Sequence, residues 1–239
     1  MSDVGFRSDM DVRLIDRMGS DLSAVAAAKV STAGVNSLQE FEVDPQARRK
    51  FIDFLVKNRH GSPFEHSAMT FLISAPIFVF REFHRHRAGW SYNEVSGRYS
   101  ELEPVFYLPN GRRPMVQVGK PGAYEFERGD FMQFARTNTS LADSFDLAWL
   151  TYQGMLDDGV AREVARMVLP VSIYSIMYAT CNARSLMHFL SLRTKSDHAA
   201  VPSFPQHEIQ MVADQMEAIF AEKFPVTHAA WDANGRVPV

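Results

Sequence analysis

A chain of 239 residues with 46% hydrophobic and 22% charged content can bury a sizeable core, and its length suits one large domain over residues 1–239. The formal net charge of -3 argues against a general nucleic-acid binder, which needs an excess of cations to neutralise phosphates. The single cysteine, Cys181, rules out an internal disulfide framework and makes a reducing, cytoplasmic compartment the default, while no apolar run reaches membrane-spanning length and Met1 to Met10 is polar rather than signal-like.

In chain order, Asp11 to Met18 has the mixed apolar content of a short strand, and Ser20 is placed to cap an alanine-rich helix from Asp21 to about Val30. Asp44-Pro45 reads as an N-cap followed by a first-turn proline. Ala47, Phe51, Phe54 and Leu55 then recur at helical spacing until Asn58-Arg59-His60-Gly61 ends the helix. A tight loop, His60 to His66, leads into a strand from Ala68 to Ala75. Pro76 opens another helix, which Ile77, Phe78, Val79, Phe80 and Phe83 make apolar on nearly all sides. A helix of that kind is buried, so its far end is expected to carry Glu82, Arg85, His86 and Arg87 into the interior or an interface, where charge requires a partner or a ligand.

The stretch that follows, Arg85 to Ser100, is not written like a core segment. With Arg81 and His84 it gathers four arginines and two histidines beside Trp90, Tyr92 and Tyr99. Planar guanidinium groups fork onto phosphate and stack on rings, so this is chemistry suited to a flat ring that carries phosphate. A charged helix end capped by Gly89 would account for Arg85 and Arg87. It would not account for the polar run through Asn93, Glu94, Ser96 and Arg98.

Beyond Tyr99, Pro104 to Leu108 fits a strand, and Pro109 to Gly122 reads as a flexible surface loop around Arg112-Arg113. Ser140 and Asp143 form a plausible capping pair for a helix carrying Leu141, Phe145, Trp149, Tyr152 and Leu156, which stops near Asp158-Gly159. A shorter helix, Val160 to Val168, would place Arg162 and Arg166 on one face. Val171 to Thr180 reads as a strand, and Asn182 caps a helix with Leu186, Met187, Phe189 and Leu190 apolar. Lys195 to Gln206 is a loop. The last predicted helix, His207 to Phe224, carries the stripe Ile209, Val212, Met216, Ile219 and Phe220 and is stopped by Pro225. The alternation predicts an α+β fold with a mixed sheet flanked by helices, since no Gly-x-Gly-x-x-Gly turn follows a strand.

Four ordered blocks resemble the flavin-dependent thymidylate synthases. Arg85-His86-Arg87, a spacer and Ser96-Gly97-Arg98-Tyr99 are similar to that family's signature, with eight residues, Ala88 to Val95, where the commonest pattern has seven. His60-Gly61-Ser62-Pro63-Phe64-Glu65-His66 is similar to its His-x-Ser/Thr-Pro-Phe-Glu-His motif. Ala165 to Pro170 resembles the segment whose arginine holds nucleotide phosphate, and Asn182 to Arg193 is a second long match.

The resemblance implies a homotetramer with sites between subunits that converts dUMP to dTMP. Methylenetetrahydrofolate would be the carbon donor, FAD the bound redox carrier and NADPH the reductant. It further implies flavin contacts for His60, Ser62, Arg85, His86, Arg87, Glu94, Asn182, Arg184 and His188. Nucleotide contacts fall on Glu82, Arg85, Glu94, Val95, Ser96, Gly97, Arg98, Arg166 and Arg193. Ser96 would orient the nucleotide and Arg193 would stabilise negative charge on the uracil. The family more often has glutamine at Glu82 and asparagine at His188. Two other classes stand beside this reading. One is a nucleic-acid module using arginines and aromatics as a stacking platform. The other is a zinc hydrolase built on His60, His66, His84 and His86, which show no recognised metal spacing.

Overall fold

The polar punctuation of the sequence starts several elements where it was expected to. In the computed structural model, which describes residues 4–34, 44–120 and 123–239, β1 (Gly5–Arg7) and β2 (Asp11–Met18) lead to α1 (Asp21–Ala33). The Ser20 side chain caps α1 by accepting from the Leu22 amide, and Ser23 returns a bond to the Ser20 amide. Asp44 caps α2 (Pro45–Lys57) through the Gln46 amide, with proline in the first turn. A 3-10 turn, Ser62–Glu65, precedes β3 (Ala68–Pro76), α3 (Ile77–Phe83) and β4 (Trp90–Glu94).

Then come β5 (Val105–Tyr107), β6 (Val116–Lys120), β7 (Ala123–Glu127), α4 (Phe131–Asp157), α5 (Arg162–Ala165) and a 3-10 turn, Arg166–Val168. The chain continues through β8 (Tyr174–Cys181), α6 (Ala183–Arg193), α7 (His207–Lys223) and α8 (Pro225–Ala233).

Two compact units arise, each from three stretches of chain. The first comprises residues 1–10, 74–83 and 94–176. In it β1 pairs in parallel with β5, and β6 pairs with β7 as an antiparallel hairpin in register from Val116 opposite Glu127 to Lys120 opposite Ala123. Its core sets Phe106, Phe145, Trp149, Tyr152, Ala165 and Ile173 together, with the Phe106 and Phe145 rings stacked at 4.9 Å. The second unit comprises residues 11–73, 84–93 and 177–239. It holds the four-stranded sheet, in the order β2-β3-β8-β4, and the helices α1, α2, α6, α7 and α8. Its buried side chains include Ile52, Phe64, Phe71, Leu186, Phe189, Met216, Phe220 and Trp231.

Three expectations are corrected. The helix predicted from Ser140 begins ten residues earlier, because Asp130 and Gln133 form a reciprocal capping box, and Ser144 bonds back to the Ser140 carbonyl inside it. Within the loop predicted over Pro109 to Gly122, residues Val116–Lys120 form strand β6 instead, with Pro121 and Gly122 lying outside the described residues. The helix expected over Val160 to Val168 is one α-turn followed by a 3-10 turn. Pro225 does end α7, but it also occupies the first turn of α8, a position where its missing N–H costs nothing.

Candidate active site

In the first unit, Glu94 to Arg98, Arg166 and Met167 line a cleft of about 690 Å³ together with Ile77, Leu102 and Glu163. That volume lies in the range of small-molecule sites. The Val95 amide is anchored to the Ile176 carbonyl at 2.9 Å, and a tight turn follows. In that turn the Ser96 carbonyl accepts from the Tyr99 and Ser100 amides, and its hydroxyl accepts from the Arg98 amide at 3.3 Å. Gly97 is buried, and a Cβ there would press on Leu102 and on Arg166 Cδ at 3.2 to 3.4 Å. Glycine is therefore what lets Arg166 lie along the turn. Arg98 Nε donates to Glu163 Oε2 at 2.7 Å, and its guanidinium lies 5.5 Å from the Tyr99 ring centre. Arg162 pairs with Glu101 at 3.5 Å, so the two arginines expected on one helix face do different things. Arg166 is half-buried and has no acidic partner among the described residues. A half-buried guanidinium without a counter-ion is what a bound anion would complete.

In the same unit Glu82 lies on α3, half-buried and outside the lining of this cleft.

In the second unit the turn after α3 divides the Arg85-His86-Arg87 triplet. Arg85 and Arg87 are exposed and without acidic partners among the described residues, whereas His86 is the buried member. The helix stops at Phe83, and the His86 carbonyl is taken by the Tyr92 hydroxyl at 2.9 Å. Gly89 turns at φ +69°, and a Cβ there would collide with the Ser185 hydroxyl, which donates to the Ala88 carbonyl at 2.9 Å. The Ala88-Gly89-Trp90 turn is thus locked onto the start of α6.

His86 is ringed by Trp90, His188 and Phe189, with the Phe189 ring centre 4.9 Å away. Burial, then Arg193 and His188, push its pKa from 6.5 down to about 4, so the ring is neutral near pH 7. Arg193 Nε donates to His86 Nε2 at 3.2 Å, which puts the ring proton on Nδ1.

At the other end of α6, Asn182 Oδ1 caps the helix through the Ser185 amide at 2.8 Å. Arg184 donates from Nε to the Val239 backbone oxygen at 2.7 Å and pairs with Glu65. His60 and Ser62 are exposed on the neighbouring loop, and Gly61 abuts Arg184, where a Cβ would approach Nε to 2.6 Å. His188 is exposed. The acidic residues Glu163 and Glu65, which engage Arg98 and Arg184, went unassigned in the sequence reading; Glu65 stood inside a quoted motif, while Glu163 carried no motif signal. Among the described residues no three or more His, Cys, Asp and Glu side chains gather as a metal ion would require.

Fold and cleft define a class, an α+β protein with a cleft of small-molecule size lined by Arg166. The family model described as thymidylate synthase complementing protein matches residues 13–226. The chain is 57% identical over 234 residues to the flavin-dependent thymidylate synthase of Streptomyces coelicolor, across 98% of this chain and 95% of that one. It is 49% identical over 237 residues to the flavin-dependent thymidylate synthase of Tropheryma whipplei (strain TW08/27), across 97% and 96%. Among solved structures it is similar to a UMP/dUMP methylase, PolB, from Streptomyces cacaoi. The form bound with 5-Br UMP gives a TM-score of 0.90 at 49% identity over 99% of each chain, and the form bound with 5-Br dUMP gives 0.91 at 50% over 99% and 100%. The chain belongs to the flavin-dependent thymidylate synthase family.

Proposed function

We propose that the protein methylates dUMP to dTMP with methylenetetrahydrofolate as carbon donor, FAD as bound redox carrier and NADPH as reductant. The observation that carries this reading is Arg166, a half-buried cation without an acidic partner among the described residues, in a cleft of nucleotide size. Arg166 and Arg98 hold the nucleotide phosphate, the latter by exchanging Glu163 for it. Ser96 orients the nucleotide from the turn whose backbone runs through Val95 and Gly97, and Glu94 meets its polar edge. Arg193, oriented by neutral His86, opposes the negative charge that grows on the uracil ring as C5 becomes nucleophilic.

The second unit's residues fit a flavin. Arg85 and Arg87 present exposed guanidinium groups without acidic partners among the described residues to a diphosphate. Arg184, Asn182, His188, Ser62 and His60 supply further polar contacts, with His86. When bound, the flavin supplies the two-electron reduction that turns a transferred methylene into a methyl group.

The working assembly in this reading is a cytoplasmic homotetramer of one functional domain per chain, 1–239, with its sites between subunits. Exposed Leu147 and Leu150, one turn apart on α4, support a covered helix face. Cys181 is buried, and burial pushes its thiol far above the ordinary range, which supports a route without an enzyme thiolate.

The test is dTMP formation by the purified protein supplied with FAD, dUMP, methylenetetrahydrofolate and NADPH. A colourless protein that neither takes up FAD nor forms dTMP would sink the reading. UMP is a second substrate to try, favoured by the PolB complexes with both 5-Br UMP and 5-Br dUMP at about half identity. Comparison of kcat/KM for UMP and dUMP decides between a deoxyribonucleotide-specific and a dual enzyme.

A further inference from the structure

Arg236 is a buried guanidinium far in sequence from every motif above. Its side chain is only 6% exposed, and its backbone sits at φ +55°, a left-handed conformation that a residue with a Cβ keeps only when its surroundings hold it. Both terminal nitrogens are fully used. One donates to Glu217 Oε1 at 2.7 Å and Asp232 Oδ1 at 2.9 Å, the other to Glu217 Oε2 at 2.6 Å and Thr194 Oγ1 at 2.8 Å. The Trp231 ring centre lies 4.3 Å from its Cζ. The two acids are held in turn: His228 Nε2 is 2.9 Å from Glu217 Oε1, and His198 Nδ1 is 2.6 Å from Asp232 Oδ2.

The contacts around Arg236 lead to the two ends of α6. Thr194 directly follows Arg193, is itself buried, and spends its hydroxyl proton on the Leu190 carbonyl at 2.7 Å, so its oxygen is free to accept from Arg236. Two and three residues after Arg236, the Pro238 carbonyl accepts from Arg59 at 2.7 Å and the Val239 oxygen accepts from Arg184 Nε at 2.7 Å. Arg59 precedes His60, and Arg184 lies in the first turn of α6. Gly61 has no room for a side chain there, since a Cβ would fall 2.9 Å from the Val239 carbonyl carbon.

We infer that Arg236 is a positioning residue for the cofactor-binding end of the molecule: through Thr194 it anchors α6 beside Arg193, and through residues 237–239 it sets Arg184 and the loop that carries His60 and Ser62. An apolar side chain of similar volume could pack the same space, but only a planar fork reaches four acceptor atoms on three residues at fixed angles. The inference rests on the reading of Arg184 as a flavin contact.

The test is a double-mutant cycle on FAD binding, read as the dissociation constant from flavin fluorescence titration of the full chain. Arg236→Lys keeps the charge and loses the fork. It should melt cooperatively and raise the FAD dissociation constant about tenfold. Arg184→Ala should raise it by a comparable factor. With Arg184→Ala already present, Arg236→Lys should add clearly less than its full effect, because part of its action runs through the Arg184 contact, whereas a merely structural role would give additive losses.

If Arg184→Ala weakens FAD binding and Arg236→Lys adds its full effect on top, positioning is overturned and the flavin role of Arg184 stands. If Arg184→Ala alone leaves FAD binding unchanged, the flavin role of Arg184 falls and the inference falls with it. Should Arg236→Lys lose its cooperative melt, Arg236→Gln combined with Glu217→Gln, which leaves neither of those charges buried, is carried through the same cycle. Failure of that pair to fold as well makes the network a fold-holding one and overturns the inference.

Discussion

Arg166 and Cys181 show how far a side chain's environment decides its use. Both are single residues in short apolar stretches, yet one is a half-buried cation facing a cleft and the other a thiol sealed in the interior. Losing one charge-assisted hydrogen bond costs about 1.5 to 3 kcal/mol, or roughly tenfold to hundredfold in affinity. Arg166→Ala should therefore weaken dUMP binding by that factor and leave FAD content intact, as read by titration of each ligand. An unchanged dUMP titration would remove Arg166 from the site. Cys181→Ala should keep most dUMP-dependent dTMP formation. If that variant bound FAD and dUMP normally and made no dTMP, Cys181 would become the nucleophile. Residue types at motif positions were legible in the sequence because their chemistry is intrinsic. Their partners were not: nothing in the order of residues pairs Arg98 with Glu163, 65 positions away, or buries His86 while its two arginine neighbours stay exposed.

At the scale of elements, local signals worked wherever capping and turn chemistry act within a few residues. Ser20, Asp44 and Asn182 cap the helices they were expected to cap. The start of α4 was misread because Ser140 and Asp143 have the right spacing for a capping pair, while Asp130 and Gln133 form the box that the chain uses. Once a helix has nucleated it extends readily, so an interior serine does not restart it. The Gly89 turn gives an element-scale test. A Cβ at φ +69° is strained and would collide with Ser185, so Gly89→Ala should lower stability by about 1 to 3 kcal/mol and loosen the turn that follows Arg87. Gly111, with nothing near its missing Cβ and no left-handed backbone, is the control, and Gly111→Ala should be neutral or slightly stabilising. Equal melting temperatures for the two variants would contradict the packing of Ala88 to Trp90 against α6.

For the molecule as a whole, buried His86 and half-buried Glu217 contribute in two separate intervals to how stability responds to acid. His86 has its pKa lowered from 6.5 to about 4, so the unfolded chain takes up its proton first and stability falls as pH drops through that interval. Glu217 is pushed up by burial but pulled further down by His228 and Arg236, to about 2 from an ordinary 4.5. Its contribution is complete above 4.5 and is lost as pH falls toward 2. In melting curves against pH, His86→Gln should flatten the upper interval and Glu217→Gln the lower. Unaltered slopes would show that neither group titrates as its surroundings demand.

By itself the sequence determined the family, the α+β class, most element starts and the chemistry available at each motif, because propensity, capping and residue type are local properties. The tertiary structure alone decided which arginine faces a cleft without a counter-ion, which histidine is dry, and that Arg236, outside all the motifs, binds Thr194 at the end of α6 while Val239, three residues on, meets Arg184 at its start. Burial and pairing depend on groups brought together from distant parts of the chain, and no window of sequence contains them.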